Sequence, residues 1–290
     1  MWRRAVGTAL GLGVASLDRA EAGLQDLRRT AAFLRGRVLF RPRPDDVFVA
    51  TYPRSGTTWM QFLLHLLVRP QVEFRHVNEV CPWFERSLAI GSLGPEELER
   101  LPSPRILKTH LPRRWLPTGG HFVYIERDPA DVLASYYELY RSYLGFGGTL
   151  DDFLERFVQG RVQYGSWWAH VEGWRRHVAD ADVLWLRYEA LRADPRAELR
   201  RVARFAGLPS DDARIAAAVE GASLSRMKEL EARFDHATSL LLERGVVPRS
   251  FIRRGQVGEG ARELSEAQRR RLDAAAGRSR REPGLPAFLH

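Results

Sequence analysis

The chain has a single cysteine, Cys81, so no disulfide can form within it and no thiolate cluster can hold zinc. A reducing compartment agrees with that lone thiol. Lysine is nearly as scarce, with Lys108 and Lys228 the only examples among 45 basic residues. Arginine therefore carries almost all of the formal charge of +9. Planar guanidinium forks onto phosphate or sulfate oxygens, so such a surface favours anionic ligands, although a lineage preference for arginine codons explains the bias as well. No basic run interleaves with aromatics, which argues against a nucleic-acid partner. Long apolar runs are missing too. The stretch from Ala5 to Ser16, about a dozen small apolar residues, is too short to span a bilayer. No repeat, low-complexity tract or convincing linker divides the 290 residues. One domain is expected, with 44% apolar residues and eight tryptophans to fill its core.

Trp2-Arg3-Arg4 ahead of the short apolar run gives the N-terminus the look of a secretory leader. The run passes without a clear cleavage site into Leu17-Asp18-Arg19-Ala20-Glu21. A cleaved leader stays open as a reading. The preferred one is a helical extension over residues 1–40 that packs on the domain or lies on a membrane surface. Residues 41–290 then form the domain proper, cytoplasmic and, through that helix, membrane-associated.

From residue 45 onward apolar strands alternate with amphipathic helices, the pattern of a parallel sheet covered on both faces. Strands are expected at Val47 to Thr51, Arg105 to Thr109, Phe122 to Glu126 and Val183 to Arg187. Asp128-Pro129 and Asp194-Pro195 each open a helix with an N-cap followed by a proline at the first helical position. Gly207 closes the second of these, and Ser265 to Gln268 reads as a capping box for a last helix ending at Gly277. Gly145 to Gly148 has the composition of a lid. Arg244 to Gly260 carries Arg249, Arg253, Arg254 and glycines without helical periodicity, as suits a loop that is disordered or held by an anion.

The most informative run is Val47-Phe48-Val49-Ala50-Thr51-Tyr52-Pro53-Arg54-Ser55-Gly56-Thr57-Thr58-Trp59. It reads as strand, phosphate-sized loop and helix, where backbone N–H groups and the positive end of a helix converge on an oxyanion. Thr57 and Thr58 add hydroxyls, Arg54 a fixed charge and Trp59 a flat face for a base. An ordinary βα turn has similar composition. The loop also departs from the Walker A pattern, since no lysine follows Gly56 and the cation precedes it. A phosphate-like group suits it better than a magnesium nucleoside triphosphate.

Thr51 to Trp59 resembles the T-Y-P-K-S-G-T-T-W loop of the cytosolic-type sulfotransferases, and further blocks follow in family order. Ile106-Leu107-Lys108-Thr109-His110-Leu111-Pro112 is similar to the strand bearing that family's catalytic histidine. Arg127-Asp128-Pro129-Ala130-Asp131-Val132-Leu133-Ala134-Ser135-Tyr136-Tyr137 is similar to its 3′-phosphate motif. Tyr164-Gly165-Ser166-Trp167-Trp168, Arg187-Tyr188-Glu189 and Phe251-Ile252-Arg253-Arg254-Gly255 with Gly258 match further blocks. The likeness covers roughly residues 40 to 275, and a bacterial member is expected.

The resemblance implies a P-loop-type α/β fold and transfer of a sulfuryl group from 3′-phosphoadenosine 5′-phosphosulfate to an alcohol, phenol or amine. Adenosine 3′,5′-bisphosphate would be the product, and no metal is needed because fixed cations do that work. It places the 5′-phosphosulfate on Arg54, Ser55, Gly56, Thr57 and Thr58. Adenine would lie on Trp59, near Tyr188, Ser223 and Leu224. Arg127 and Ser135 would hold the 3′-phosphate from one side, and Phe251, Ile252, Arg253, Arg254 and Gly255 would cover it from the other. His110 would take the acceptor's proton, with Arg54 and Lys108 as the cations at the transferring group.

Departures accompany the likeness. Arg54 stands where the best-known members have lysine, Ala222-Ser223-Leu224 replaces T-S-F, and Gly260 replaces a tryptophan. The family's dimerisation pattern would fall on Ala261, Ser265, Glu266 and Arg270 and is absent, so no dimer of that type is expected. Phe74, Pro82-Trp83-Phe84, Tyr143 and Trp168 are candidates for lining an acceptor pocket, which suggests an apolar or aromatic acceptor. Two competing readings are a P-loop kinase, with Asp128 as a magnesium ligand after the strand Phe122 to Arg127, and a catalytically silent binder of sulfated or phosphorylated molecules.

Overall fold

In a computed structural model the described residues are 2–90, 94–234 and 257–276, with backbone alone for 2–19, 22 and 90. They cluster into two compact units. In the smaller, residues 2–41 combine with Glu85–Arg100. Its main element is α1, a single helix Trp2–Leu39. Gly36 of α1 approaches Leu88 so closely that an added Cβ would lie 3.0 Å from it. The N–H of Arg41 donates to Glu99 at 2.9 Å. Helix α3 (Phe84–Ile90), from Glu85 onward, and α4 (Pro95–Arg100) complete this part.

The larger unit is a single α/β domain. Its four strands, β1 (Val47–Thr51), β2 (Ile106–Thr109), β3 (His121–Glu126) and β4 (Val183–Arg187), are all parallel and lie in the order β2-β1-β3-β4. Every residue of β1 and β2 is buried, which explains why they read as unbroken apolar runs and not as alternation. The pleat still sorts the two faces. Val47, Val49, Val123 and Ile125 enter one core, while Phe48 and Phe122 stack at 5.0 Å on the other side, with Trp174 beyond Phe122.

Helix α2 (Thr57–Val68) covers the first face with α9 (Pro195–Phe205) and α10 (Asp212–Gly221). On the second face lie α5 (Pro129–Tyr143), α6 (Leu150–Val158) and α7 (Trp167–Arg175). The short helices α8 (Tyr188–Ala193), α11 (Leu224–Glu229), α12 (Glu259–Glu263) and the longer α13 (Glu266–Ala276) complete the described set.

The capping signals act as written. Asp128 accepts from Ala130 N at 2.9 Å and Asp131 N at 3.2 Å, Asp194 accepts from Ala197 N at 2.9 Å, and Ser265 and Gln268 bond reciprocally. Thr149 and Asp152 form a further capping box that starts α6. Gly145 to Gly148 does not hang free as a lid would. Phe146 packs on Tyr137, Tyr140 and Phe153, and Tyr137 donates its hydroxyl to Gly148 O at 3.1 Å.

Strand order decides where a ligand can sit. The chain leaves β1 toward β2 on one side and leaves β3 toward β4 on the other. A crevice therefore opens beyond the carboxyl ends of β1 and β3, where open α/β sheets bind ligands.

Candidate active site

That crevice holds a cavity walled by the β1–α2 loop (Arg54, Gly56, Thr57, Thr58, Trp59), by α5 and its lead-in (Arg127, Asp131, Ser135), and by Tyr188, Arg192, Leu224, Met227, Glu259 and Gly260. The loop's shape depends on Gly56, whose φ is 92°. A Cβ there would stand 2.6 Å from Tyr188 Cδ2, so neither the backbone angle nor the space admits another residue. Ser55 is buried, and its Oγ has no hydrogen-bond partner in the protein. A buried hydroxyl left so beside a strand-to-helix turn suits an oxyanion ligand.

Two cations converge on this loop. Arg54 Nε donates to Ser135 Oγ at 2.9 Å, turning its guanidinium toward α5. Arg127 Nη1 donates to Arg54 O at 3.0 Å and its guanidinium lies 4.4 Å from the Tyr188 ring centre. Trp59 is held by its indole N–H, which donates to Ala222 O at 2.9 Å, and its ring meets Tyr188 edge-on. Glu189 fixes the last corner by accepting from Asp128 N at 2.9 Å. Asp128 Oδ1 is engaged in capping α5, the role of a helix cap.

His110 and Lys108, at the end of β2, are not among the residues of that wall, but His110 is wired to it. Thr51 Oγ1 lies 2.6 Å from Thr57 Oγ1 and 3.1 Å from His110 Nδ1. Nδ1 is also 2.9 Å from Thr51 O. A carbonyl only accepts, so Nδ1 carries the proton and the lone pair of the neutral ring is on Nε2. The buried imidazole meets Trp83 edge-on at 5.3 Å and Tyr164 at 5.2 Å. Lys108 Nζ sits 3.7 Å from the Trp83 ring centre.

Behind His110, the Nε2–H of His170 donates to His110 O, and Tyr124 donates its hydroxyl to His170 Nδ1, both at 3.0 Å. Burial pushes the pKa of His170 down to about 4.

The two non-glycine residues with left-handed backbone among the described residues are Arg54 (φ 69°) and Tyr164 (φ 65°), and both stand at this site. Each such conformation costs roughly 1–3 kcal/mol and persists where the surroundings impose it. Tyr164 is imposed on from both sides. Tyr52 donates to Gly165 O at 2.8 Å, and Tyr136 donates to Gln163 O at 2.9 Å.

The other candidates from the sequence are dispersed. Ser223 precedes α11 and pairs with Ser225, outside the wall that Leu224 joins. Phe251, Ile252, Arg253, Arg254 and Gly255 lie outside the described residues. Of the aromatics considered for an acceptor pocket, Phe74 is core among Phe62, His65 and Phe234, and Phe84 packs on Phe48. Trp83 meets His110 edge-on. Thr51, Asp131, Arg192, Met227 and Glu259 have site positions that the sequence reading passed over. For Asp131 a signal existed, since it falls one helical turn after Arg127. Cys81 is inert, its buried thiol pushed up to about 12. Among the described residues no group of three or more His, Cys, Asp or Glu is arranged to hold a metal.

Comparison with known proteins agrees with this fold. The family model described as a sulfotransferase domain matches residues 44–281. Sulfotransferase 1C2 of Oryctolagus cuniculus is 33% identical over 258 residues, covering 81% of this chain and 82% of its own length. Mouse sulfotransferase SULT7A1, solved in complex with PAP, superposes with a TM-score of 0.67 at 27% identity, covering 86% of this chain and 88% of that one. A retinol dehydratase in complex with androsterone and inactive cofactor PAP shares the fold, with a TM-score of 0.71 at 23% identity and 84% of each chain covered. With a strand-to-helix loop at the switch point of a parallel sheet and a sulfotransferase-domain match over residues 44–281, the chain belongs to the sulfotransferase family, as an enzyme dependent on 3′-phosphoadenosine 5′-phosphosulfate.

Proposed function

We propose that His110 is the general base of the transfer, acting on the hydroxyl (or amine) of a small apolar or aromatic acceptor. The observation that carries this is the 2.9 Å bond between His110 Nδ1 and Thr51 O, which leaves Nε2 as the basic atom. Gly56, the buried Ser55 hydroxyl, Thr57 and Thr58 form the cradle for a sulfated 5′-phosphate; Arg127 and Ser135 take the 3′-phosphate, and Trp59 takes the base. Arg54, whose Nε donates to Ser135 Oγ, and Lys108 supply charge where the transferring group passes. The bound donor supplies a sulfuryl group on a phosphate leaving group. As the acceptor's S–O bond forms and the bridging S–O bond breaks, the acceptor proton goes to His110 Nε2 and adenosine 3′,5′-bisphosphate is left. The aromatic faces of Trp83 and Tyr164 beside His110 favour flat or apolar alcohols and phenols.

Labelled donor offered with a panel of phenols, apolar alcohols, amines and sugars, in the presence of chelator, tests this reading. Transfer is expected to phenols and apolar alcohols at an unchanged rate in chelator. Preference for sugars, or dependence on added magnesium, sinks it.

Helix α1 adds a reading of location. Leu24, Leu27, Leu34 and Val38 fall within about 80° of its circumference at 100° per residue, and Leu27 and Val38 are 66% and 79% exposed. The buried Phe33 and Gly36 lie on the opposite side. Arg28 and Arg35 edge the apolar stripe, the arrangement of a helix lying in an anionic membrane surface. No helix among the described residues is long and apolar enough to cross a membrane. The protein is expected to float with anionic vesicles at low salt, less so at high salt, and Leu27→Glu with Val38→Glu is expected to abolish flotation. Flotation unaffected by that double substitution would assign the contact elsewhere.

A further inference from the structure

Asp131 has no part in the reaction just described, yet it borders the cavity while being only 2% exposed. A carboxylate beside a pocket for a polyanion is electrostatically adverse, since it repels the phosphates that Arg127 attracts. Its partners explain its place. Oδ1 accepts from Gly260 N at 2.7 Å, Oδ2 accepts from Gly258 N at 2.9 Å, and Oδ2 lies 3.6 Å from Arg127 Nη2. One side chain therefore joins three groups: the guanidinium in the lead-in to α5 and two backbone amides from a segment more than a hundred residues later.

The later segment is shaped for this contact. Gly258 has a φ of 75°, and a Cβ on Gly260 would stand 2.1 Å from Ala130 O. Nothing larger than glycine permits the approach, and it is at Gly260 that this chain departs from the tryptophan of the resembling family. Gly260 and Glu259 also wall the cavity, so the seating of their backbone sets its width.

We propose that Asp131 is a positioning residue of the nucleotide pocket. It clasps the Gly258–Gly260 backbone and the Arg127 guanidinium into one body, and thereby sets preference for a nucleotide that carries a 3′-phosphate. This rests on the reading of Arg127 as a ligand of that phosphate.

Asp131→Asn separates positioning from charge, because the two predict opposite signs. If the carboxylate contributed only its charge, the neutral amide would tighten phosphate binding. If it positions, one glycine N–H faces an amide NH₂ and Arg127 loses its anchor. Calorimetric titration of wild type and variant with adenosine 3′,5′-bisphosphate and with adenosine 5′-monophosphate reads the difference. Bisphosphate affinity is expected to fall about tenfold or more, with monophosphate affinity unchanged within about twofold. With donor saturating, kcat is expected to stay near wild type while KM for the donor rises.

Gly260→Ala, which displaces the segment without altering charge, is expected to give the same selective loss, and it serves should the Asn variant not fold. Tighter or unchanged bisphosphate binding overturns the proposal, as does equal weakening of both nucleotides. A wild-type protein without preference for the bisphosphate overturns the assignment of Arg127 itself.

Discussion

His110→Ala is expected to lower turnover by about 10²–10⁴-fold, the usual worth of a positioned general base, while leaving the affinity for adenosine 3′,5′-bisphosphate within about threefold. The asymmetry follows from where the residue stands. His110 is not among the residues that wall the nucleotide cavity, and Thr51 and Thr57 link it to the loop. Loss of the imidazole removes the Nε2 lone pair but leaves Arg54, Arg127, Ser135 and the Gly56 turn in place. The variant also opens space between Trp83 and Tyr164, so its unfolding midpoint should be recorded beside its activity. Turnover that persisted in a folded variant would remove His110 from the base role. Loss of nucleotide binding together with turnover would mean that the histidine serves the loop's architecture. A catalytically silent binder predicts neither effect, since there would be no turnover to lose.

Much of this site was legible in the sequence because its decisive pieces are local. The run from Val47 to Trp59 contains strand, turn glycine and helix start within one window, and local chemistry alone makes that turn. The capping prolines after Asp128 and Asp194 fixed two helix starts to the residue. What escaped was contact between distant segments. Thr51 reads as the end of a buried strand, and only the sheet brings it against His110, 59 positions later. Asp131 reads as one more polar residue on an amphipathic helix until Gly258 and Gly260 meet it. Phe74 and Phe84 failed as acceptor-pocket candidates for the converse reason, since spacing cannot tell an aromatic that faces a pocket from one that fills a core. Gly145 to Gly148 suggested mobility by composition, but Phe146 between its glycines supplies the anchor.

Acid should weaken the fold through the support behind the strand that leads to His110 before carboxylate protonation does. His170 is fully buried between Tyr124 and the His110 carbonyl, and desolvation of its charged form pushes the pKa from 6.5 to about 4. The hydrogen bonds require the neutral ring, because a second ring N–H would turn toward Tyr124 and force its buried hydroxyl to give up the donor role. The unfolded chain protonates this group near 6.5 and the folded chain does not, so the unfolded state binds more protons across that interval. Stability is thus fully present above 6.5 and is lost as pH falls toward 4, by about 3 kcal/mol for this residue alone. His65, whose pKa is also lowered by burial, adds a loss of the same sign. Asp152, lowered by its bonds to Thr149, yields its contribution further down, as pH drops through and below 3.8. Urea unfolding at pH 7, 6, 5 and 4 measures the slope. His170→Gln keeps a donor for His110 O and an acceptor for Tyr124 but cannot titrate, so it should start less stable and lose much less on acidification. If wild type and the Gln variant fall in parallel, the slope belongs to other groups. If the Gln variant stays flat while its turnover holds near neutral pH, then His170 supports His110 as a neutral spacer, and acid first reaches catalysis through the backbone that carries the base.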